Sequence, residues 1–117
     1  MDIKELFEKQ RELDEFIIEK RYCGGLEKEA TYDENLFLTN RLLALAVEVG
    51  ELANATRAFK YWSTKESESK ERLLDEYVDC LFFLASIGNT LKFMAEEVEE
   101  AYKKKYKENI RRQEEGY

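Results

Sequence analysis

Two pairs of acidic residues interrupt two otherwise apolar runs: Glu48 with Glu51, and Glu76 with Asp79. The first pair lies within residues 42–53 (LLALAVEVGELA), the second within residues 73–84 (LLDEYVDCLFFL). Spacing of i,i+3 puts both carboxylates of a pair on one face of a helix. Helices with such flanks are buried over much of their surface, and a buried carboxylate is costly unless a cation meets it. The two pairs are also mirror images about a point between Ser63 and Thr64, where the polar stretch 63–70 (STKESESK) begins. An antiparallel fold-back at that point brings Glu48 opposite Asp79 and Glu51 opposite Glu76. Four carboxylates then converge in one cleft. Two or more Mg²⁺ ions, which prefer oxygen ligands, are the natural way to neutralise it.

Composition narrows the rest. The 117 residues include no proline and only five glycines, which favours long helices in one domain spanning residues 1–117. A net charge of −7 argues against nucleic acid as a bulk partner. The apolar runs are too short to span a bilayer, so no membrane partner is expected. The charged segment 1–5 (MDIKE) lacks the apolar stretch of a signal peptide, and a cytoplasmic location is expected. Cys23 and Cys80 are too few for a disulfide framework; Cys80 reads as a small buried hydrophobe. There is no histidine. That excludes Ser-His-Asp and Cys-His nucleophilic sites and zinc sites built on histidine, and counts against di-iron bundles. Carboxylate-only ligation points to Mg²⁺, with Mn²⁺ as a substitute.

Four helices are predicted, in an all-α antiparallel arrangement. The first covers residues 2–20, with Ile3, Leu6, Phe7, Gln10, Leu13, Asp14 and Ile17 on one stripe, and breaks at residues 21–25 (RYCGG). The second opens at a capping box, Thr31 to Glu34, and runs to Trp62, weakened at Gly50. The third covers residues 69–87 and stops at Gly88-Asn89. The fourth covers residues 90–113, with Met94, Val98, Ala101, Tyr102, Lys105, Asn109 and Arg112 on its inner face.

Lys105, Asn109 and Arg112 continue an apolar stripe at i, i+4, i+7, which suits either phosphate oxygens or an exposed helix end. Lys60, at the loop end of the second helix, can meet a phosphate entering the acidic cleft. Tyr61 and Trp62 read as packing before base stacking. Gln10 and Asp14 are either satisfied buried polar groups or readers of a base edge. The run Glu96 to Glu100 is a solvated face and carries no chemistry.

These residues resemble the all-α nucleoside triphosphate pyrophosphatase superfamily, which includes MazG-like enzymes and the dimeric dUTPases. Its ExxE and ExxD signatures are present as Glu48/Glu51 and Glu76/Asp79. Residues 10–14 (QRELD), 46–54 (AVEVGELAN), 59–62 (FKYW), 76–79 (EYVD) and 105–117 (KYKENIRRQEEGY) resemble the dimeric dUTPase branch. The resemblance implies Mg²⁺-dependent hydrolysis of dUTP to dUMP and pyrophosphate. It implies metal binding by Glu48, Glu51, Glu76 and Asp79, with Glu48 or Glu51 also orienting or deprotonating the attacking water. Lys60, Lys105 and Arg112 would contact phosphates; Gln10, Trp62 and Asn109 would lie near uracil and deoxyribose. Members of the branch commonly carry a histidine where this chain has Phe82, which can instead wall off the C5 position of the base. The chain also lacks segments found between the later helices of many members. Both departures bear on base selectivity. A homodimer or higher homo-oligomer is expected to complete the core. The competing readings are a MazG-like pyrophosphatase of other or broader nucleotide preference, and a non-catalytic helical interaction module.

Overall fold

A computed structural model of the protein describes residues 1–23 and 32–116. Four α-helices carry it: α1 Ile3–Ile18, α2 Glu34–Thr56, α3 Lys70–Thr90 and α4 Ala95–Glu114. The all-α expectation holds, and the described residues contain no strand. The helix ends differ from the predicted ones, each for a local reason.

At the start of α1 the Asp2 carboxylate accepts from Glu5 N–H at 2.8 Å, satisfying one of the free amides of the first turn. The helix stops two residues early and passes into a π-helical turn, Glu19–Cys23. Asp33 caps α2 by accepting from Leu36 N–H at 3.1 Å. The predicted capping-box residue Thr31, the Gly24-Gly25 break, the Cys23 side chain and Tyr117 lie outside the described residues.

Helix α2 ends at Thr56, not at Trp62. Arg57 takes a left-handed conformation, φ 60°, and its N–H turns back to the carbonyls of Ala53 and Asn54. The Thr56 hydroxyl donates to Ala53 O at 2.8 Å, a local bond that competes with helix continuation. Gly50 leaves α2 unbroken.

Helix α3 runs through the predicted stop at Gly88-Asn89. Gly88 serves a close approach instead: a Cβ there would lie 3.0 Å from Cζ of Phe7, a buried ring on α1. Asn89 ties the same contact by donating to Phe7 O at 2.9 Å. The left-handed residue that closes α3 is Lys92, φ 66°. Phe93 N–H reaches Gly88 O at 2.9 Å and Lys92 N–H reaches Asn89 O at 3.0 Å, the paired bonds of a Schellman motif. The chain then turns through 111° into α4, whose first residue is Ala95 and whose entry is secured by Met94 N–H to Glu97 Oε1, 2.9 Å.

Helices α2 and α3 form the antiparallel hairpin, and α1 lies along α3. Among the described helices α4 touches only α1, and the predicted inner face does not form within the described residues: Met94, Tyr102, Lys105 and Asn109 are exposed. The reason is the direction of the turn at Lys92, which no composition rule specifies. The result is an open molecule, 56 × 40 × 25 Å with a radius of gyration of 18.1 Å, where a compact chain of this length has about 13 Å. Among the described residues no single helix is long and apolar enough to cross a membrane.

Candidate active site

The mirrored register expected from the two acidic pairs is realised. One carboxylate oxygen each from Glu48 on α2 and from Glu76 and Asp79 on α3 lie within 4.8 Å of one another. Glu51 borders the trio: it is one of the charges that push the carboxyls of both Glu48 and Glu76 up. Desolvation by the surrounding helices is the larger cause at both residues, with Glu51 next. At Glu76 the Arg72 guanidinium works the other way.

Glu76 is buried, with Arg72 Nη2 3.1 Å from its Oε1. Its other oxygen, Oε2, is buried with no hydrogen-bond partner, and so is Glu48 Oε2. Unpartnered buried oxygens on two members of a carboxylate cluster are what a divalent cation would satisfy, so the donor set fits a hard, oxygen-seeking metal. Arg72 also meets Glu68 at 3.3 Å, so a half-free guanidinium stands at the edge of the acidic cleft. Sequence reading missed it; the signal available was its i,i+4 relation to Glu76.

A second polar centre lies further along the same helix faces. On α3, Asp79, Phe83 and Ser86 follow Glu76 at helical spacing; on α2, Arg41 precedes Glu48 by seven residues. Asp14 of α1 sits at their junction. Its carboxylate accepts from the Ser86 hydroxyl at 2.6 Å and from Gln10 Nε2 at 3.0 Å, and lies 3.5 Å from Arg41 Nη2. Arg41 is packed against two rings, its guanidinium carbon 4.5 Å from the centroid of Phe37 and 5.3 Å from that of Phe83. Ser86 is 0% exposed, Gln10 3% and Asp14 6%. Gln10 Oε1 is buried without a partner, an arrangement that costs about 1–3 kcal/mol if nothing meets it. Asp14 is thus a satisfied buried group, while Gln10 keeps an unmet acceptor. Arg41, Phe83 and Ser86 were not singled out in the sequence, where each looks like ordinary helix filling.

The remaining candidates are dispersed. Lys60 lies in the turn after α2; its N–H donates to Arg57 O at 3.0 Å, and Nζ is 5.7 Å from the Phe59 ring centroid. Trp62 is 64% exposed, edge-on to Tyr61 at 5.2 Å and to Phe59 at 6.1 Å. These aromatics are not core; they pack on one another in the turn, as the packing expectation allows. Phe82 is exposed on the flank of the stripe that carries Asp79 and Ser86. Lys105, Asn109 and Arg112 ride on α4, away from α2 and α3; Arg112 Nε lies 3.3 Å from Glu108 Oε1. Cys80 is half-buried, its thiol pushed up by burial and by the nearby Glu48, which makes it a poor nucleophile.

The sequence profile of the dUTPase family matches residues 2–94. That span holds α1, α2 and α3 with all four carboxylates, Gln10, Lys60, Trp62 and Phe82, and it ends before α4, so the Lys105, Asn109 and Arg112 tail lies outside the match. No curated protein and no solved structure matches the chain. Members of this family act on a nucleotide with the help of a divalent metal. With about four fifths of its length matched and the acidic cluster assembled, the chain belongs to the all-α dUTPase family and is a dUTP diphosphatase.

Proposed function

We propose that the protein hydrolyses dUTP to dUMP and pyrophosphate with Mg²⁺, and that the acidic cluster between α2 and α3 is where the α-phosphate is attacked. The observation that carries this reading is the trio of carboxylate oxygens from Glu48, Glu76 and Asp79, two of these residues having buried oxygens without partners. These three, with Glu51 at the border, would hold the metal. When bound, the metal neutralises phosphate charge and draws protons from bound water. Glu51 is the acid left over beside the trio, and like Asp79 it is exposed, with access to a water. It is therefore the residue assigned to orient that water and accept its proton as oxygen bonds to the α-phosphorus. The bond between the α-phosphorus and its bridging oxygen breaks, and pyrophosphate leaves. Arg72 supplies positive charge at the cleft edge for that leaving group. Gln10 meets the base. Lys60, Lys105 and Arg112 are phosphate contacts, with Trp62 and Asn109 beside the nucleoside and Phe82 at the base C5.

A second copy of the chain covers the apolar surface. The protomer exposes 9542 Å², where a compact monomer of this mass exposes about 6,700 Å². Leu36, Leu43 and Val47 form an outward stripe on α2, and Leu74, Tyr77, Val78 and Leu84 lie exposed on α3. Obligate dimers bury areas of this order. Dimerisation also supplies a route by which Trp62 and the cations of α4 reach a site they do not reach within one chain.

A panel of dUTP, dCTP, dTTP, dATP and dGTP with Mg²⁺ tests the reading. Release of pyrophosphate and dUMP from dUTP, with kcat/KM for dUTP ahead of the others, is the expected result. Equal rates across the panel would leave a general nucleotide pyrophosphatase, and no turnover on any would leave a non-catalytic helical module.

A further inference from the structure

The buried centre at Asp14 has a direct consequence for which base the site accepts. A carboxylate has no hydrogen to donate. Asp14 already receives the Ser86 hydroxyl at 2.6 Å, and its other oxygen faces Gln10 at 3.0 Å and Arg41 at 3.5 Å. Only the NH₂ end of the Gln10 amide can face it. The Gln10 carbonyl oxygen is thereby turned away from Asp14, and it is the buried oxygen that has no partner. One N–H of the same amide also remains free to donate, since the group carries two.

We propose that Asp14 is a positioning residue for base selection: by forbidding rotation of the Gln10 amide, it presents an acceptor next to a donor. That pair complements the uracil edge, where N3–H donates and O4 or O2 accepts. Against cytosine it fails, because unprotonated N3 and the N4 amine present the reverse order, acceptor to acceptor and donor to donor. A freely rotating amide would match either base, and Asp14 removes the second match.

Placement supports this. Ser86 lies seven residues beyond Asp79 on the same face of α3, a separation of about 10 Å along the axis. That is comparable with the span from the α-phosphate of a nucleotide to its base. A substrate with its phosphates at the acidic cluster can thus bring its base to Gln10, passing Phe83 on the way. Arg41, clamped between Phe37 and Phe83, holds the Asp14 carboxylate from the α2 side. The inference rests on the dUTPase reading and adds how the base is told apart.

The test is kcat/KM for dUTP and for dCTP, with Mg²⁺, in the wild type and in Asp14→Asn. Asparagine is nearly isosteric and can either donate or accept, so both orientations of Gln10 become available. The ratio of dUTP to dCTP should fall at least about tenfold, the discrimination carried by one or two mismatched buried groups. The dCTP value should rise in absolute terms, which damage to the fold cannot produce. An unchanged ratio, or a parallel loss on both substrates, would overturn the proposal. If circular dichroism shows that Asp14→Asn does not fold, Asp14→Ser decides. Its hydroxyl can also either donate or accept, so Gln10 is again free to turn and the ratio should fall several-fold with dCTP rising; an unchanged ratio there overturns the proposal equally. A wild type inactive on dUTP, or equally active on dUTP and dCTP, would defeat the proposed function itself. A wild type that prefers dUTP and an Asp14→Asn variant that keeps the same preference would defeat only the orientation argument.

Discussion

Glu51 illustrates how little separates a surface acid from a candidate for chemistry. It is exposed, and on its own would be a solvated helix residue; what makes it a candidate is that it borders Glu48 and Glu76, each with an unpartnered buried oxygen. Glu51→Gln keeps the shape and removes the charge. Turnover of dUTP should fall by two or more orders of magnitude, the range spanned by loss of a general base, while helicity by circular dichroism persists. Near-wild-type turnover would remove Glu51 from the chemistry. The same cluster makes metal-free stability depend on pH. Glu48 and Glu76 are raised above their ordinary value of 4.5 in the folded state, by burial first. The folded protein then holds more protons than the unfolded chain just above pH 4.5, so its stability falls as pH rises through that window. In EDTA, Tm should be higher near pH 5 than at pH 7.5 on account of these groups, and Mg²⁺ should recover stability most at the higher pH, where protons no longer compete. A Tm indifferent to millimolar Mg²⁺ at pH 7.5 would count against a preformed metal site.

At the scale of elements, α3 organises the molecule. One face carries, in order, the metal-fitting acids, an aromatic ring and a buried hydroxyl; near its end Gly88 lets Phe7 of α1 approach. Gly88→Ala sets two effects against each other. Alanine favours the helix by about 1 kcal/mol over glycine, but overpacking a filled contact costs about 1–3 kcal/mol. With the ring edge only 3.0 Å from the new methyl and Phe7 itself buried, the clash should win. Denaturant unfolding should show a net loss of about 1 kcal/mol, relieved when Phe7→Leu is combined with it. A stabilised Gly88→Ala would mean that α1 can shift along α3 at little cost. The reading of Gly88 as a helix stop failed for the same reason: a glycine can serve a turn or a neighbour, and the neighbour, Phe7, is far away in the chain, beyond the reach of any local rule.

For the whole molecule, the decisive quantity is exposed apolar surface. A chain with Leu43 at 65% and Leu84 at 56% exposure and a radius of gyration of 18.1 Å has much left to bury. If a second copy buries it, Tm should rise with protein concentration, and sedimentation should show a dimer. Leu43→Glu, on the outward stripe of α2, should shift the mass towards the monomer and lower Tm, leaving helicity largely intact. A monomeric wild type at micromolar concentration would remove the dimer, and with it the route for Trp62 and α4 to complete the site.

The helical class, the hairpin register and the acidic cluster were legible in the sequence, because each depends on short-range periodicity. Apolar spacing set the helices, and mirrored acids about a polar turn set which carboxylates meet. The missing histidine limited the chemistry to oxygen ligands. What periodicity could not carry was decided by contacts between residues far apart in the chain. Asp14 is held only because Ser86 and Arg41 arrive from two other helices, and Gly88 became a contact only because Phe7 packs there. Helix α4 left the hairpin because the left-handed turn at Lys92 sends the chain through 111°. Local spacing says which face of a helix is apolar or charged; only tertiary packing says what that face meets.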